Sequence, residues 1–519
     1  MFTRKLVFQM FSSFLVIISL ITGVLPIQGK SLASPLYASG DFLLAKSMGG
    51  TNYDRGNAIA IDSSGNVYIT GEFSGTVDFD PGAGTFNLIS AGSNDDIFVS
   101  KLDSNCNFVW AKRMGGWSDD EGYSIAVDSS GNVYTTGVHE GNNADFDPGA
   151  GTYILNGAGG ADIFVSKLDS NGDFVWAKSM GGGNGDKGNA IVVDSSRNVY
   201  TTGYFRNTAD FDPGTGIFNL TTPGNTSDPD IFVSKLDSNG DFVWAKSMGG
   251  SGNYYGDSDE GCSIAVDSNS NIYSTGFFVG TADFDPSTGI FNLISEEGLD
   301  IFVSKLNSNG EFIWAKSMGG AGSYDEGRDI ALDSHRNVYT TGYFRATGDF
   351  DPGVGTFNLA SAGLGDIFVS KLDTNGDFVW ARNMGGTDGD EGKSLAVDSS
   401  GTVYTTGYFN GTADFDPGAG TFNLTSAGIF VSKLDSNGDF IGAKGMGGIS
   451  YYDVGYSIIL DSSDNVYTTG SFWGTADFDP GAGIFNLTST GNSDVFVSKL
   501  ENVVVPPRVY LPVILRNTP

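Results

Sequence analysis

The hexapeptide IFVSKL begins at Ile97, Ile163, Ile231, Ile301, Ile367 and Ile429, and returns as VFVSKL at Val495. Seven copies of one marker, 62 to 70 residues apart, constrain the fold more than any composition does. A second marker, VYTTG or a close variant, begins at Val67, Val133, Val199, Ile272, Val338, Val403 and Val466. A third, Met-Gly-Gly, begins at Met48, Met114, Met180, Met248, Met318, Met384 and Met446. A strand-rich unit of this size cannot bury its apolar residues alone, so its copies must stack as a solenoid or close as a propeller.

Each unit carries four strand-like runs. In the second unit they are SIAVD (124–128), NVYTTG (132–137), DIFVSKL (162–168) and DFVWAKSM (173–180), here called strands A, B, C and D. The A–B turn, Asp128 to Asn132, and the C–D turn, Asp169 to Asp173, have the Gly/Asn chemistry of tight hairpins. Strand A places Ala and Ser between its larger aliphatics, whereas strand D carries Phe and Trp (Trp110, Trp176, Trp244, Trp314, Trp380). Gaps between propeller blades widen outward, so A reads as the innermost strand and D as the outermost. The last unit supplies A, B and C but no D, while DFLLAKSMGG at 41–50 is a D strand with no unit before it. The expectation is a seven-bladed all-β propeller over 41–501, with residues 41–48 pairing beside Val495–Leu500 to close the ring.

The run SSGNVYTTG, followed by IFVSKL and FVWAKSMGG, resembles the bacterial SBBP repeat, a family of seven-bladed β-propellers. The resemblance spans about 41–501. It implies the fold and an extracellular setting, and little about activity. An insertion between B and C, carrying Asp-Phe-Asp-Pro in every unit, departs from the pattern.

In such a meander the A–B and C–D turns share one face, and the B–C and D–A loops share the other. The first pair has fixed lengths throughout the chain. The B–C spacing varies from 26 to 32 residues and the D–A spacing from 14 to 19. Varying loops on a fixed scaffold mark the binding face, with unconstrained drift as the other reading.

Three sets of residues on that face are candidates. The Asp-Phe-Asp-Pro motifs supply seven pairs: Asp78 with Asp80, Asp145 with Asp147, Asp210 with Asp212, Asp283 with Asp285, Asp349 with Asp351, Asp414 with Asp416, and Asp477 with Asp479. Two carboxylates at i and i+2 on an extended segment suit Ca²⁺; Asp-Pro-Gly is equally a turn signal whose carboxylate caps backbone N–H groups. An Asp-x-Gly before each A strand (Asp54, Asp120, Asp186, Asp259, Asp325, Asp390, Asp453) is expected near the axial mouth. The D–A loops hold Tyr53, Trp117, Tyr254, Tyr255, Tyr324, Tyr451 and Tyr452, placed to stack on sugars or to anchor a peptide, or else to bury between loops.

Catalytic signatures are absent from the sequence: two unlike histidines (His139, His335), no Gly-x-Ser-x-Gly elbow, no phosphate loop, and irregular residues (Arg206, Arg345, Trp473) that do not gather in one unit. A net charge of −33 argues against a nucleic-acid partner, which needs clustered Lys and Arg. Residues 1–33 read as an export signal, with Arg4 and Lys5 before an apolar run and cleavage after Ala33 or Ala38. Cys106 and Cys262 fall on different blades and read as free thiols. Residues 502–519 read as a Pro-containing linker and apolar tail, with no segment after the signal able to span a membrane. The reading is a secreted or cell-surface monomer, a non-enzymatic binding or adhesion scaffold for an extracellular polymer, glycan or protein surface, with Ca²⁺ as its candidate cofactor. A carbohydrate-active enzyme and a structural envelope component are the alternatives.

Overall fold

The computed structural model describes residues 41–502, except 224–227, 251–257, 322–323, 427, 449 and 451 and the side chain of residue 297. Residues 1–33, read above as an export signal, the residues beyond Asn502, and Tyr254, Tyr255 and Tyr451 lie outside the described residues.

Seven four-stranded antiparallel sheets form the blades. Blade 2 is typical: Glu121–Val127, Val133–Glu140, Ala161–Leu168 and Phe174–Gly182, paired in that order from A to D. Each A strand begins a few residues before the apolar run read from sequence, because the polar Asp-x-Gly segment also pairs. The A strands neighbour one another in chain order around the axis, and Val454–Leu460 of blade 7 lies against Asp54–Ile61 of blade 1. Blade 7 consists of Val454–Leu460, Val466–Asp477, Asn486–Leu500 and, as its D strand, Phe42–Gly50. In that last pairing Met48 stands opposite Val495 and Lys46 opposite Val497. Glu501 N–H then donates to the carbonyl of Asp41 (2.9 Å).

The Asp-Phe-Asp-Pro insertion and the Met-Gly-Gly end of strand D prove to be one device. Gly49 and Gly50 of blade 7 pair with Asp78 and Val77 of blade 1. The same cross-blade pairing joins Gly115 to Asp145, Gly181 to Asp210, Gly249 to Asp283, Gly319 to Asp349, Gly385 to Asp414 and Gly447 to Asp477. The Phe of each insertion is buried; Phe79 packs on Phe73 and Phe98 at ring distances of 5.4 and 4.8 Å. Each insertion therefore straps its blade to the one before it.

The outer part of each gap is latched by two donors on one carbonyl. Lys101 Nζ and Trp110 Nε1 both donate to Ser170 O of the next C–D turn, at 3.2 and 3.4 Å. Lys167 with Trp176 on Ser238 O, and Lys371 with Trp380 on Ser436 O, repeat the arrangement. The turn glycine sits against the Trp ring and the Lys two residues after it: a Cβ at Gly172 (φ +78°) would meet Lys112 Cε at 2.6 Å and Trp110 Cδ2 at 3.1 Å. Where the chain ends interrupt this pattern, the residues change together. Blade 7 has Leu44 in place of Trp, and the facing turn of blade 1 has buried Cys106 in place of Gly. Blade 6 has Gly442 in place of Trp, and Asn502 Oδ1 replaces the turn carbonyl, accepting from Lys433 Nζ (2.8 Å) and Tyr404 Oη (3.2 Å).

The Asp-x-Gly aspartates stand at or just before the start of each A strand. They are buried clamps. Asp186 accepts from Gly182 N–H (2.7 Å) of the preceding blade and from Arg206 N–H (2.8 Å) of its own. Asp120, Asp390 and Asp453 hold the matching amides in the same way. In six blades a second buried Asp opens strand C (Asp96, Asp162, Asp230, Asp300, Asp366, Asp494), and Gly428 takes that place in blade 6. Burial, reinforced by the facing Asp494, pushes Asp54 up to about 7 even against a hydrogen bond from Gly50. Burial likewise takes Asp120, Asp186 and Asp390 to about 7 and Asp230 to about 8.

Two outcomes follow from these contacts. Gly172→Ala puts a Cβ into the left-handed region and against Trp110, and is expected to cost about 1–3 kcal/mol in chemical denaturation. Cys106→Gly, opposite Leu44, should cost much less, since lost burial is offset by relief of its positive φ; equal losses would contradict the Trp–Gly fit. The clamp aspartates set the second outcome. A carboxyl whose folded pKa lies above its unfolded value stabilises the fold in full below about pH 4, and that stability is lost as pH rises through about 7. The A–B turn aspartates run the other way: burial opposes them, but hydrogen bonds such as those from Asn66 hold Asp62 below its usual value, so their contribution is lost only in stronger acid. The thermal midpoint should therefore fall between pH 5 and pH 8 at fixed ionic strength, and a flat or rising profile would contradict the assignment.

Candidate functional site

The two loop types expected on one face do meet there. Asn94 Nδ2 of a B–C loop donates to Trp117 O of a D–A loop (3.0 Å), and Asp120 N–H donates to Asp95 O (2.9 Å). Four of the aromatics named from sequence stand exposed on this face: Tyr53, Trp117, Tyr324 and Tyr452, at 55 to 74%. The structure gathers two of them around a residue that sequence reading left aside. Tyr53 and Tyr452 lie 5.8 and 5.5 Å from the ring of Trp473, making a three-ring cluster where blade 7 meets blade 1. Tyr324 lies instead under the Arg345 guanidinium, at 5.7 Å.

The Asp-Phe-Asp-Pro carboxylates, one of whose two readings was a Ca²⁺ pair, are occupied as turn caps. Asp78 Oδ1 accepts from Asp80 N–H (3.0 Å) and Phe86 N–H (2.8 Å), so the first Asp of each motif closes the insertion on itself. Asp145, Asp210, Asp283, Asp349, Asp414 and Asp477 make the same two bonds. The second Asp caps the turn that follows it: Asp80 Oδ1 accepts from Gly82 N–H (2.8 Å). Asp147, Asp212, Asp351, Asp416 and Asp479 each accept from the matching glycine. Asp285 accepts from Ser287 in that place, through both N–H and Oγ. The other oxygen of each second Asp also turns inward: a Cβ at Gly84 would meet Asp80 Oδ2 at 2.1 Å, and Gly151 and Gly216 crowd Asp147 and Asp212 equally.

These bonds fit the turn reading of Asp80, Asp147, Asp212, Asp285, Asp351, Asp416 and Asp479 and of their upstream partners. The two carboxylates of a motif accept from different backbone amides. Among the described residues no group of three or more His, Cys, Asp or Glu side chains is placed to hold a metal. The turn reading accounts for these motifs.

What diverges among the seven units is a different set of positions, and the fold brings them together. Strand A varies at the residue after the clamp Asp: Arg55, Glu121, Lys187, Glu260, Glu326, Glu391, Val454. It varies again two residues on: Asn57, Tyr123, Asn189, Cys262, Arg328, Lys393, Tyr456. Strand B varies where it leaves the VYTTG motif: Glu72, Val138, Tyr204, Phe277, Tyr343, Tyr408, Ser471. Two residues later stand Ser74, Glu140, Arg206, Val279, Arg345, Asn410 and Trp473. The pairing register sets the first and third of these positions opposite one another, as in Arg55–Glu72 and Glu326–Tyr343. Because the A strands surround the axis, these positions encircle its mouth on the loop face.

Blades 5 and 6 carry the densest part of this ring. Arg328 bridges Glu326 (2.6 Å) and Glu391 (2.7 Å), and Lys393 also holds Glu391 (2.7 Å). Burial alone would raise Glu391, but Lys393 and Arg328 keep it below the usual range. Tyr343 Oη donates to Glu326 (2.6 Å). Beside Arg328, Asp329 occupies a wall position held by Ala or Ser in the other blades. It accepts from Ser263 Oγ, Ser394 Oγ and Leu395 N–H, at 2.7 to 2.8 Å. A cavity of about 230 Å³ opens here, lined by Arg328, Tyr343, Arg345, Leu364, Asp390, Glu391 and Tyr408 among others. Of the irregular residues named from sequence, Arg345 lines this cavity.

The histidines are not part of it. His139 is buried, its Nε2 2.7 Å from Ser179 Oγ, and burial lowers it to about 4. His335 is exposed in an A–B turn, on the other face. Cys106 and Cys262 are free thiols.

Residues 48–72, 109–146 and 313–343 match the family described as Beta-propeller repeat, SBBP. An uncharacterized WD repeat-containing protein of Acanthamoeba polyphaga mimivirus is 24% identical over 449 residues, 72% of this chain and 32% of that protein. Regulatory protein FlaEY of Caulobacter vibrioides is 28% identical over 178 residues, 33% of this chain and 18% of that protein. The chain therefore spans a third or less of the length of either relative. Among solved structures, the WD40 beta propeller domain of Doa1 is 10% identical, with 90% of this chain and 98% of that one covered and a TM-score of 0.38. Sqt1 from Chaetomium thermophilum is 9% identical, with 90% and 100% covered and a TM-score of 0.41. Three stretches of this chain thus match the SBBP beta-propeller repeat, and the chain folds as a ring of seven four-stranded blades.

Proposed function

We propose that this propeller is a non-catalytic binding scaffold, exported to the cell exterior, that engages a glycan polymer through its loop face. One observation carries the reading. Units that are otherwise near copies diverge in strand A and at the end of strand B, and those positions converge on the axial mouth of that face. Residues that hold the ring together are repeated; residues free of that duty differ. Loops and strand ends on a rigid scaffold are the usual carriers of recognition. Because the seven mouth positions are unlike one another, they favour one composite site over seven equivalent weak ones.

The exposed rings of Tyr53 and Tyr452, with Trp473 between them, supply a stacking surface beside this mouth. Aromatic faces of this kind suit the apolar side of a sugar ring, and aromatic residues dominate binding energy at such sites. The acidic surface, at a net −33, suits a neutral or mixed-charge polymer better than a polyanion.

Affinity electrophoresis through gels containing individual soluble polysaccharides tests this. At least one polymer should retard the intact chain. Trp473→Ala should weaken retardation about tenfold, the order of a lost aromatic hot spot. His335→Ala, on the opposite face, should leave it unchanged. Equal mobility of all variants in every gel that retards the chain would remove the loop face from the reading.

A further inference from the structure

We propose that the cavity between blades 5 and 6 is a carboxylate-binding pocket, with Arg345 as the group that grips the anion. The inference deepens the loop-face reading and rests on it. Its basis is that the other charged groups here are already engaged. Arg328 and Lys393 face Glu326 and Glu391 at ion-pair distance, two cations against two anions. Asp390 is buried and spends its oxygens on Gly386 N–H (2.7 Å) and Asn410 N–H (2.9 Å). Tyr343 Oη is committed to Glu326. Among the described residues of the lining, Arg345 is the cation with no carboxylate at ion-pair distance.

Arg345 is also held ready. Its N–H is clamped by Asp325 Oδ1 (2.9 Å), which fixes where the side chain leaves the backbone. Its exposed guanidinium rests over the rings of Tyr324 and Tyr343, at 5.7 and 5.8 Å. Those ring contacts stabilise the cation and restrict its rotamers without occupying its N–H groups. A planar fork of such donors fits a carboxylate with two parallel hydrogen bonds. The cavity, at about 230 Å³, is smaller than the roughly 300–1,000 Å³ that houses drug-sized ligands. It suits a single sugar acid or a peptide carboxyl end, and Leu364 supplies an apolar wall for the rest of either.

Isothermal titration of the full chain at low salt, with sodium glucuronate, N-acetylglycine and glucose as separate probes, tests the proposal. Glucuronate or N-acetylglycine should bind, glucose should not, and added salt should weaken binding. Which acid binds more tightly identifies a sugar or a peptide source. Arg345→Gln should lower the affinity about tenfold to a hundredfold, as expected for charge-assisted bonds lost. Arg345→Lys, which keeps the charge and loses the fork, should recover only part. An unchanged thermal midpoint for both variants separates binding from folding. No binding of either acid, or wild-type affinity in Arg345→Gln, overturns the pocket. If polymer retardation still depends on Trp473 in that case, the loop-face reading stands and the carboxylate assignment alone fails.

Discussion

Everything in this molecule depends on one strand pairing, that of Phe42–Gly50 with Asn486–Leu500. A propeller is a ring of wedges, and each wedge is stable only between two neighbours. Without the pairing, blade 7 would present an open edge along strand C, and blade 1 would lose the Gly49–Asp78 strap. Each ladder bond contributes only about 0.5–1.5 kcal/mol net. Register gives the seam its specificity: Ala45 and Met48 enter two different core clusters, one on each side of the strand. The seam is marked in side chains as well. Leu44 with Cys106, and Gly442 with Asn502, are paired departures from the Trp–Gly and turn-carbonyl pattern of the uninterrupted gaps.

The same logic divides the residues by duty. Met-Gly-Gly, Asp-Phe-Asp-Pro, the clamp Asp and the Lys–Trp latch each touch the adjacent blade, so each recurs. Their carboxylates are consumed by backbone amides. For the clamp acids that use demands burial, and it leaves them raised instead of charged and solvated. The mouth residues touch the next blade only through side chains that can be exchanged. Arg328 with Glu391 is one solution there, and Asn189 with Glu260 is another. Recognition is free to vary where the ring's integrity does not depend on it.

The architecture was legible in the sequence because spacing and residue size carry it. Seven markers meant seven blades, and Ala and Ser in strand A against Trp in strand D distinguished the inside from the outside. The site was less legible. Tyr53 and Tyr452 stand exposed as a D–A loop position suggests, but their partner Trp473 lies in the B strand Val466–Asp477, far from Tyr53 along the chain. Arg328 and Arg345 belong to one unit and Lys393 to the next, and the closed ring brings them to one place around Glu391. The acidic motifs left two readings open for a different reason. Sequence shows a carboxylate near an axis, or two carboxylates two residues apart, but not the amides that claim them. Asp186 is drawn inward by amides of two blades, and Asp147 is turned into its own Pro-Gly turn. Comparing the units position by position, and asking where they disagree, was the signal that pointed to the mouth.

Hydrogen exchange read by mass spectrometry tests the ring most directly, because the chain contains its own standard. The segment Phe174–Gly182 is a D strand with the same kind of neighbours that Phe42–Gly50 has across the seam. If the ring is closed as described, amides in 42–50 should be protected on the timescale of those in 174–182. Complete exchange of 42–50 at the earliest time point, with 174–182 still protected, would contradict closure and with it the placement of the mouth.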